Sequence, residues 1–451
     1  MVMVLIVAGL IILLLATFKY PPLSLAFFLM TPFFKASLML KFPFFRKVDY
    51  TVLCAVLTLI AMGYSFLKRK GQLKGIVNFP LLMYLFLAVL LLFGVTYTTA
   101  PHYGLVKSSR FATLGLVAFL APVVFANSMK EIKLMIWIVI IGGVVLAVGT
   151  LIEPHASVLR ESAPERATFL ESDPLSTAAA MGAATIACSL FATMVHTSRR
   201  LKIVSVAAIP LLLGVMITTG SRGPFIGILL TWLVAIFICY KQMSKVWFPL
   251  FVIAGAIALS MLFVKLPEIS TERIARIWRS GYELKSASQS RMEMFIWAAS
   301  RFIEQPVLGH GTGAFAVDRG GIDERKYPHN IILELLYEQG VVGAAVLCAF
   351  LWLIFRRWRQ AANLVKSYLL TPEIYGAVHL AGLLFLFTFT QAMKSGDVDG
   401  NRIMFFYAGL VIAAFNVTQR MAEEISLENE LAVEGQRYSE GLEFHGTEIL
   451  Y

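Results

Sequence analysis

The chain has 451 residues, of which 58% are hydrophobic and only 15% charged, and this composition excludes an ordinary water-soluble domain. Apolar stretches of the length that a hydrocarbon core of ~30 Å requires of a spanning helix recur along most of the sequence. The net charge of +11 is explained by basic cytoplasmic loops, and no soluble segment carries a basic patch, so we expect no nucleic-acid partner. The predicted fold class is an all-α polytopic membrane protein.

The apolar stretches predict about twelve transmembrane helices in chain order. They lie at 2–17, 50–66, 78–97, 111–127, 131–151, 175–195, 201–219, 223–240, 246–265, 330–355, 372–393 and 401–418. The first has no basic segment before it and no cleavage site after it, so we interpret it as a retained helix. Residues 22–45 are apolar but contain Pro32, Lys35 and Pro43, which favours an interfacial or re-entrant segment. If they span the membrane, only the side of the N-terminus changes.

Basic segments between the spans predict the orientation. Residues 68–70, 199–200 and 356–357 are rich in Lys and Arg, as cytoplasmic loops are, and an even number of spans separates each from the next. Both ends of the chain are therefore expected inside, in a multi-pass inner-membrane protein. The outward segments of interest are then 152–174, 220–223, 266–328 and 394–400.

The same pattern divides the chain into four regions. Residues 1–265 form helices 1 to 9 or 10 with short outer loops, and 266–328 form one long outer loop with amphipathic helices. Residues 329–419 hold the C-terminal spans. The polar tail 420–451 is predicted to be cytoplasmic, with a short helix followed by disorder.

One candidate catalytic residue is His329, at the outer start of a long apolar helix. Pro328 ends any preceding helix, and His329 with Asn330 opens the next one. An imidazole at a helix N-terminus feels the positive end of the dipole, which favours its neutral form. A neutral imidazole at the water boundary suits a general base. The alternative is a boundary histidine that only caps or hydrogen-bonds a loop.

The turn at 217–227 is a candidate anion site. Ser221 is placed to cap the following helix, Gly220 and Gly223 open the backbone, and Arg222 stands at the helix N-terminus. Free amides, a helix dipole and a guanidinium together suit a phosphate. An interfacial arginine that only reaches lipid headgroups is the alternative.

Two further residues are weaker candidates for substrate contacts. Arg166 lies in the outward stretch that begins at Arg160, where it is a second possible phosphate ligand or a partner of Glu165 or Glu171. His310 lies in the long outer loop, in a glycine turn where backbone can approach a ligand closely.

The long outer loop is predicted to contain amphipathic helices. Arginines at i, i+3 and i+6 in 273–279 share one side of a helix near the membrane. A second helix around 288–304 should end before Pro306, and the glycine turn 309–313 follows. That turn is not a Walker motif.

These pieces, in this order, resemble the superfamily of O-antigen ligases, O-antigen polymerases and protein O-oligosaccharyltransferases. The family pattern of His followed by Asn, Ser or Gln, then nine residues and Gly-x-x-Gly, matches His329–Asn330 and Gly340–Gly343 without a gap. The 221–223 turn resembles the family's arginine-containing turn. The stretch from Arg291 to Gly313 resembles its segment from an arginine to a glycine turn.

One part of the resemblance is less regular. Arg166 with Asp173–Pro174 is similar to the family's first outer loop, although the usual Pro-Asn is Pro174–Leu175 here. The motifs cover roughly residues 160–360.

The resemblance implies a metal-independent inverting glycosyltransferase of the GT-C type that needs no cofactor and acts at the periplasmic face. The donor would be a glycan on undecaprenyl pyrophosphate, and the acceptor lipid A–core oligosaccharide, with membrane lipids around both. His329 would be the general base. The residues implied in substrate and pyrophosphate binding are Arg222, Arg166, Arg291, His310, Asn330 and Ser221.

Other functions remain open at this point. A polymerase would pass the glycan to another lipid-linked repeat, and an oligosaccharyltransferase would pass it to a protein, although the chain lacks the extra C-terminal region that we associate with the latter. The basic 273–279 stretch suits an anionic lipid A–core acceptor. A secondary transporter would place polar groups at the bilayer midplane and show repeated halves, whereas here the charges cluster at the outer edge.

Overall fold

The computed structural model shows a bundle of helices with one short β-ribbon. The residues that the structure describes are 15–17, 19–42, 44–68, 75–152, 154–156, 167–169, 172–194, 198–243, 287–394 and 397–446. Its helices are α1 (Ser24–Lys41), α2 (Phe44–Lys47), α3 (Tyr50–Lys68), α4 (Phe79–Gly94), α5 (Pro101–Arg110), α6 (Leu116–Phe125), α7 (Met129–Ile152), α8 (Pro174–Thr193), α9 (Arg199–Thr218), α10 (Arg222–Cys239), α11 (Ala287–Phe302), α12 (Ala314–Gly320), α13 (Ile331–Ser367), α14 (Pro372–Ala392) and α15 (Arg402–Gly446). Strands β1 (Pro154–Ala156) and β2 (Ala167–Phe169) pair antiparallel.

Within the described ranges, nine helical stretches are long and apolar enough to cross a membrane, and α4 is a shorter apolar helix. Each coincides with one of the predicted spans, which confirms a multi-pass, almost entirely helical protein. The predicted spans 2–17 and 246–265 lie largely or wholly outside the described residues, so the count of twelve stays a prediction.

Residues 22–45, which we predicted to be an interfacial or re-entrant segment, are mainly one continuous helix, and their position relative to the membrane stays a prediction. α1 runs through Pro32 and packs against α3 and α7. Pro32 has no amide hydrogen to donate to the carbonyl of Phe28, and the Thr31 hydroxyl donates to that carbonyl instead, at 2.8 Å. Leu25 and Phe28 are fully buried, so α1 belongs to the bundle.

Three predicted limits of helical segments are wrong. The span predicted at 111–127 begins at Pro101, because α5 continues through a π-helical turn at Phe111–Gly115 into α6. α13 extends past 355, so the basic 356–357 pair lies within a helix. The tail is helical to Gly446, since its sequence after residue 420 is rich in Ala, Glu and Leu, which favour helix.

α15 lies at the centre of the bundle. Its stretch from Phe405 to Ala414 is buried throughout, and the helix packs against α6, α13 and α14. Tyr84 stacks on Phe111 with ring centroids 4.6 Å apart and donates a hydrogen bond to the Phe111 carbonyl. Both rings also meet the ring of Phe405 in α15 edge-on, so this core ties α4, the π-helical turn and α15 together.

Candidate active site

α13 is broken at Gly340, one of the two glycines of the Gly-x-x-Gly pattern. The Gly340 backbone has φ 62° and ψ −161°, a conformation that side chains rarely tolerate. A Cβ there would overlap the carbonyl of Val307. The amides of Val341 and Val342 leave the helix and donate to the carbonyls of Pro306 and Val307, at 2.8 and 3.4 Å.

The carbonyls freed by this break are also satisfied. In an unbroken helix, Tyr337 and Glu338 would accept from the amides four residues later. Here they accept from the amides of His310 and Gly311, each at 2.9 Å. The segment 306–311 therefore replaces the missing helical hydrogen bonds, so the break leaves none of these backbone groups without a partner.

The glycine turn 309–313 packs closely against the backbone of α4 at Gly94. Gly309, Gly311 and Gly313 all have positive φ, and a Cβ at Gly311 would lie 2.7 Å from the carbonyl oxygen of Gly94. Thr312, fully buried, donates from its amide to that same carbonyl at 3.1 Å. The turn thus joins α4 to the break in α13, which is a structural use for glycines that we expected beside a ligand.

His329 and Asn330 form the start of α13. His329 is partly exposed and has φ 60°, a left-handed conformation that costs ~1–3 kcal/mol for a residue with a side chain and is often found at functional sites. Asn330 is the N-cap, and its side-chain oxygen accepts from the amides of Ile332 and Leu333 at 3.0 Å. Its Nδ2 donates to the carbonyl of Met393 at 3.3 Å. The predicted start of the helix is confirmed.

The segment before His329 is held by alternate side chains. Arg325 lies over the ring of Tyr327 at 5.4 Å, and Tyr327 meets the ring of His329 edge-on, with centroids 4.5 Å apart. Arg325 also donates two parallel hydrogen bonds of 2.9 Å to the fully buried carboxylate of Asp397. We call this pair the Arg325–Asp397 clamp, and it fixes the approach to His329.

Asp397 is further stabilised as a carboxylate. Tyr103 on α5 donates to it at 2.8 Å, and the amide of Gly400 donates at 3.0 Å. Although burial alone would raise the pKa of Asp397, the Arg325 guanidinium holds that pKa well below its usual range. The clamp is therefore ionised at all ordinary pH values.

A second ionic group is fully buried between α5 and α13. The Lys107 ammonium contacts the carboxylates of Glu334 and Glu338, the latter at 2.6 Å, and all three side chains are fully buried. Glu334 also accepts from the amide of Val398 at 3.2 Å. This buried ion cluster, Lys107–Glu334–Glu338, connects α5, the first turns of α13 and the 397–401 turn.

Arg222 begins α10 beside the same end of α14. It is exposed, Ser221 occupies the N-cap position, and the preceding Gly220 has φ 64°. Ser221 was expected to cap α10, but its hydroxyl makes no capping bond. Lys394, just past α14, donates to the carbonyl of Gly223 at 3.3 Å.

One short segment therefore contacts both the Arg222 turn and the His329 turn. Lys394 contacts the first through Gly223, and the neighbouring Met393 contacts the second through Asn330.

Two other predicted residues are placed elsewhere. His310 stacks on Tyr337 with centroids 4.4 Å apart, and its Nε2 lies 3.1 Å from the carbonyl of Arg301. Arg291 is half-buried in the first turns of α11, which runs from 287 to 302 close to the predicted 288–304 and packs on α13. Their contacts with substrate stay predictions. Arg166 and the arginines of 273–279 lie outside the described residues.

The polar residues that hold the site were missed at the sequence level. They are Lys107, Arg325, Glu334, Glu338, Lys394 and Asp397. One signal was available, because two glutamates four residues apart in an apolar helix require a buried partner. Within the described ranges no group of three or more His, Cys, Asp or Glu side chains is arranged to hold a metal ion.

Comparison with known proteins bears on the same region. Residues 207–348 match the family model described as O-antigen ligase, and this stretch includes Arg222, the glycine turn, His329 and Gly340. A predicted polysaccharide ligase of Rickettsia conorii is 29% identical over 143 residues, which are 29% of this chain and 33% of that protein. The chain thus covers about a third of the length of this relative.

Proposed function

We propose, on the premise of the match to the O-antigen ligase family over residues 207–348, that this chain is a membrane glycosyltransferase that acts as an O-antigen ligase. It moves a glycan from undecaprenyl pyrophosphate to lipid A–core oligosaccharide at the periplasmic face of the bacterial inner membrane. The observation that carries the proposal is His329, held in a left-handed conformation at the start of α13 and linked through Met393 and Lys394 to the Arg222 turn.

The reaction requires one proton transfer and one displacement. A hydroxyl of the acceptor attacks the anomeric carbon of the donor sugar, and His329 takes the proton of that hydroxyl. The bond between the anomeric carbon and the pyrophosphate oxygen breaks, and undecaprenyl pyrophosphate leaves with the bonding electrons. Attack opposite the leaving group inverts the anomeric centre. The donor is already activated, so neither ATP nor a metal is needed.

Arg222 is proposed to neutralise the leaving group. Charge builds up on the pyrophosphate as the bond breaks, and a guanidinium at a helix N-terminus stabilises such charge more in the transition state than in the ground state. Arg222 is exposed at the first position of α10, so its planar fork is available for a bidentate contact. Arg166 and Arg291 are proposed as further contacts of the same kind.

The test is transfer by the purified protein in liposomes. The reaction contains undecaprenyl-pyrophosphate glycan and lipid A–core, with chelator and without ATP. We expect a glycan-capped lipid A product that disappears in His329→Ala, because the variant lacks the group that takes the hydroxyl proton. The variant should elute and melt like the wild type, since this substitution leaves both partners of the Arg325–Asp397 clamp in place.

The products distinguish the alternatives. Wild-type rates in His329→Ala would remove the imidazole from the mechanism. Longer lipid-linked glycan with unmodified lipid A would identify a polymerase, and a chain that makes no product but moves the glycan lipid across the liposome membrane would be a transporter.

A further inference from the structure

Several buried polar groups around the start of α10 have no use in the reaction as described above. Ser221 is 7% exposed and Gln391 is 8% exposed. Neither the Ser221 hydroxyl nor the Gln391 side-chain oxygen has a hydrogen-bond partner among the described residues. Because a buried polar atom without a partner is energetically unfavourable, two of them at one helix end indicate a ligand that supplies the missing bonds.

The Gln391 side chain has a fixed orientation. The Thr390 hydroxyl gives its one hydrogen to the carbonyl of Phe387 at 2.7 Å, so it can only accept from Gln391. It must therefore face the Gln391 Nε2, 3.2 Å away. This leaves the Gln391 oxygen as an acceptor that needs a donor, which an anion lacks and a hydroxyl provides.

Gly223 keeps the space between Gln391 and Lys394 open. A Cβ at Gly223 would lie 3.8 Å from the Gln391 oxygen and 3.9 Å from the Lys394 Cδ. The two side chains therefore border the second residue of α10, one residue from Arg222 and two from Ser221.

Lys394 is a cation without a carboxylate partner in the part of the chain that the structure describes. The hydrogen bond of its ammonium there goes to the Gly223 carbonyl, and burial lowers the pKa of the ammonium from the ordinary value. An anion beside it would restore that pKa. The amides at the start of α10 and the Arg222 guanidinium add positive potential to the same point.

We infer that Lys394 and Gln391, with Ser221 and Arg222, form a site for a sugar pyrophosphate at the start of α10. Lys394, Ser221 and Arg222 donate to phosphoryl oxygens, and the Gln391 carbonyl accepts from a hydroxyl of the attached sugar. The assignment of this ligand to the glycan donor rests on the proposed function, whereas binding of the phosphoryl group does not.

The experiment separates the phosphoryl and sugar contacts. Binding of inorganic pyrophosphate to the purified full-length protein in neutral detergent is measured by calorimetry, and KM for the glycan donor is measured in liposomes. Lys394→Met should weaken both by at least about tenfold, the loss of one charge-assisted hydrogen bond. Lys394→Arg should recover most of each. Gln391→Leu should raise donor KM by about three- to tenfold and leave pyrophosphate binding unchanged.

Controls make each result decisive. Lys130→Met removes a lysine in the first turn of α7, away from the α10 start, and should change neither quantity. Each variant is compared with the wild type by its melting temperature, and Lys394→Arg shows whether Lys394→Met fails through charge or through folding.

Three outcomes would overturn the inference. Unchanged pyrophosphate binding in Lys394→Met removes the cation from the site, and equal effects of Gln391→Leu on both quantities remove the sugar contact. Displacement of pyrophosphate from the wild type by phosphatidylglycerol micelles assigns the site to lipid headgroups. If pyrophosphate binds as expected but no transfer occurs with any acceptor, the anion site stands and the proposed ligase function fails.

Discussion

Two polar regions at the same end of the bundle differ in how their cations are paired. In the first, Lys107 lies between two glutamates and Arg325 pairs with Asp397, so each cation has an anionic partner within the chain. In the second, the Ser221 hydroxyl and the Gln391 oxygen are buried without partners among the described residues, and Lys394 contacts a carbonyl there and no carboxylate. The first region therefore contributes to the stability of the fold, whereas we propose that a bound ligand completes the second.

The largest expected effect comes from breaking the buried ion cluster. Lys107→Met leaves the carboxylates of Glu334 and Glu338 buried without a cation, which should cost ~3–5 kcal/mol of unfolding free energy. Thermal unfolding in detergent measures this loss. Adding Glu334→Gln and Glu338→Gln to Lys107→Met removes the uncompensated charge and should recover most of the stability.

The exposed pair of Lys133 and Glu373 provides the matched control. These side chains are 39% and 59% exposed, so Lys133→Met should change the unfolding free energy by less than ~1 kcal/mol. Equal losses in Lys107→Met and Lys133→Met would contradict a special role for the buried cluster.

A smaller effect is expected where the paired region meets His329. Arg325→Lys keeps the positive charge beside Asp397 but loses the two parallel hydrogen bonds. Since the Arg325–Asp397 clamp positions the segment that ends at His329, kcat for transfer should fall about tenfold, while the melting temperature changes little. Arg319→Lys is the control, because Arg319 lies over the face of Trp297 at 5.9 Å and outside the clamp. A kcat equal to that of the wild type in Arg325→Lys would show that the clamp does not position the base.

The contrast between the regions also explains what the sequence could predict. The length of the apolar stretches was enough to predict the spans, because the thickness of the hydrocarbon core imposes that length. The Pro328–His329–Asn330 order was enough to predict the start of α13, because an N-cap depends on hydrogen bonds between near neighbours in the sequence. These features depend on neighbours along the chain.

The remainder depends on partners far away in sequence. Lys107 meets Glu338 across 231 residues, and Arg325 meets Asp397 across 72, so no local pattern reveals either pair. The break in α13 at Gly340 likewise depends on the separate 306–311 segment, which supplies the replacement hydrogen bonds. The tail was predicted to contain a short helix followed by disorder, yet α15 continues to Gly446.

The smallest effect is expected at the link between the two regions. The Asn330 side chain makes two kinds of hydrogen bond: its oxygen caps α13, and its Nδ2 donates to the Met393 carbonyl. Asn330→Ser keeps a capping oxygen on a shorter side chain, whereas Asn330→Ala loses both functions. The alanine variant should lose ~1 kcal/mol of stability and the serine variant only a few tenths, and both should raise donor KM about twofold to fivefold as the 393–394 segment loosens. Equal melting temperatures for the two variants would exclude capping as the role of Asn330. A wild-type KM in both would show that the Arg222 turn and the His329 turn act independently, although they lie on one segment.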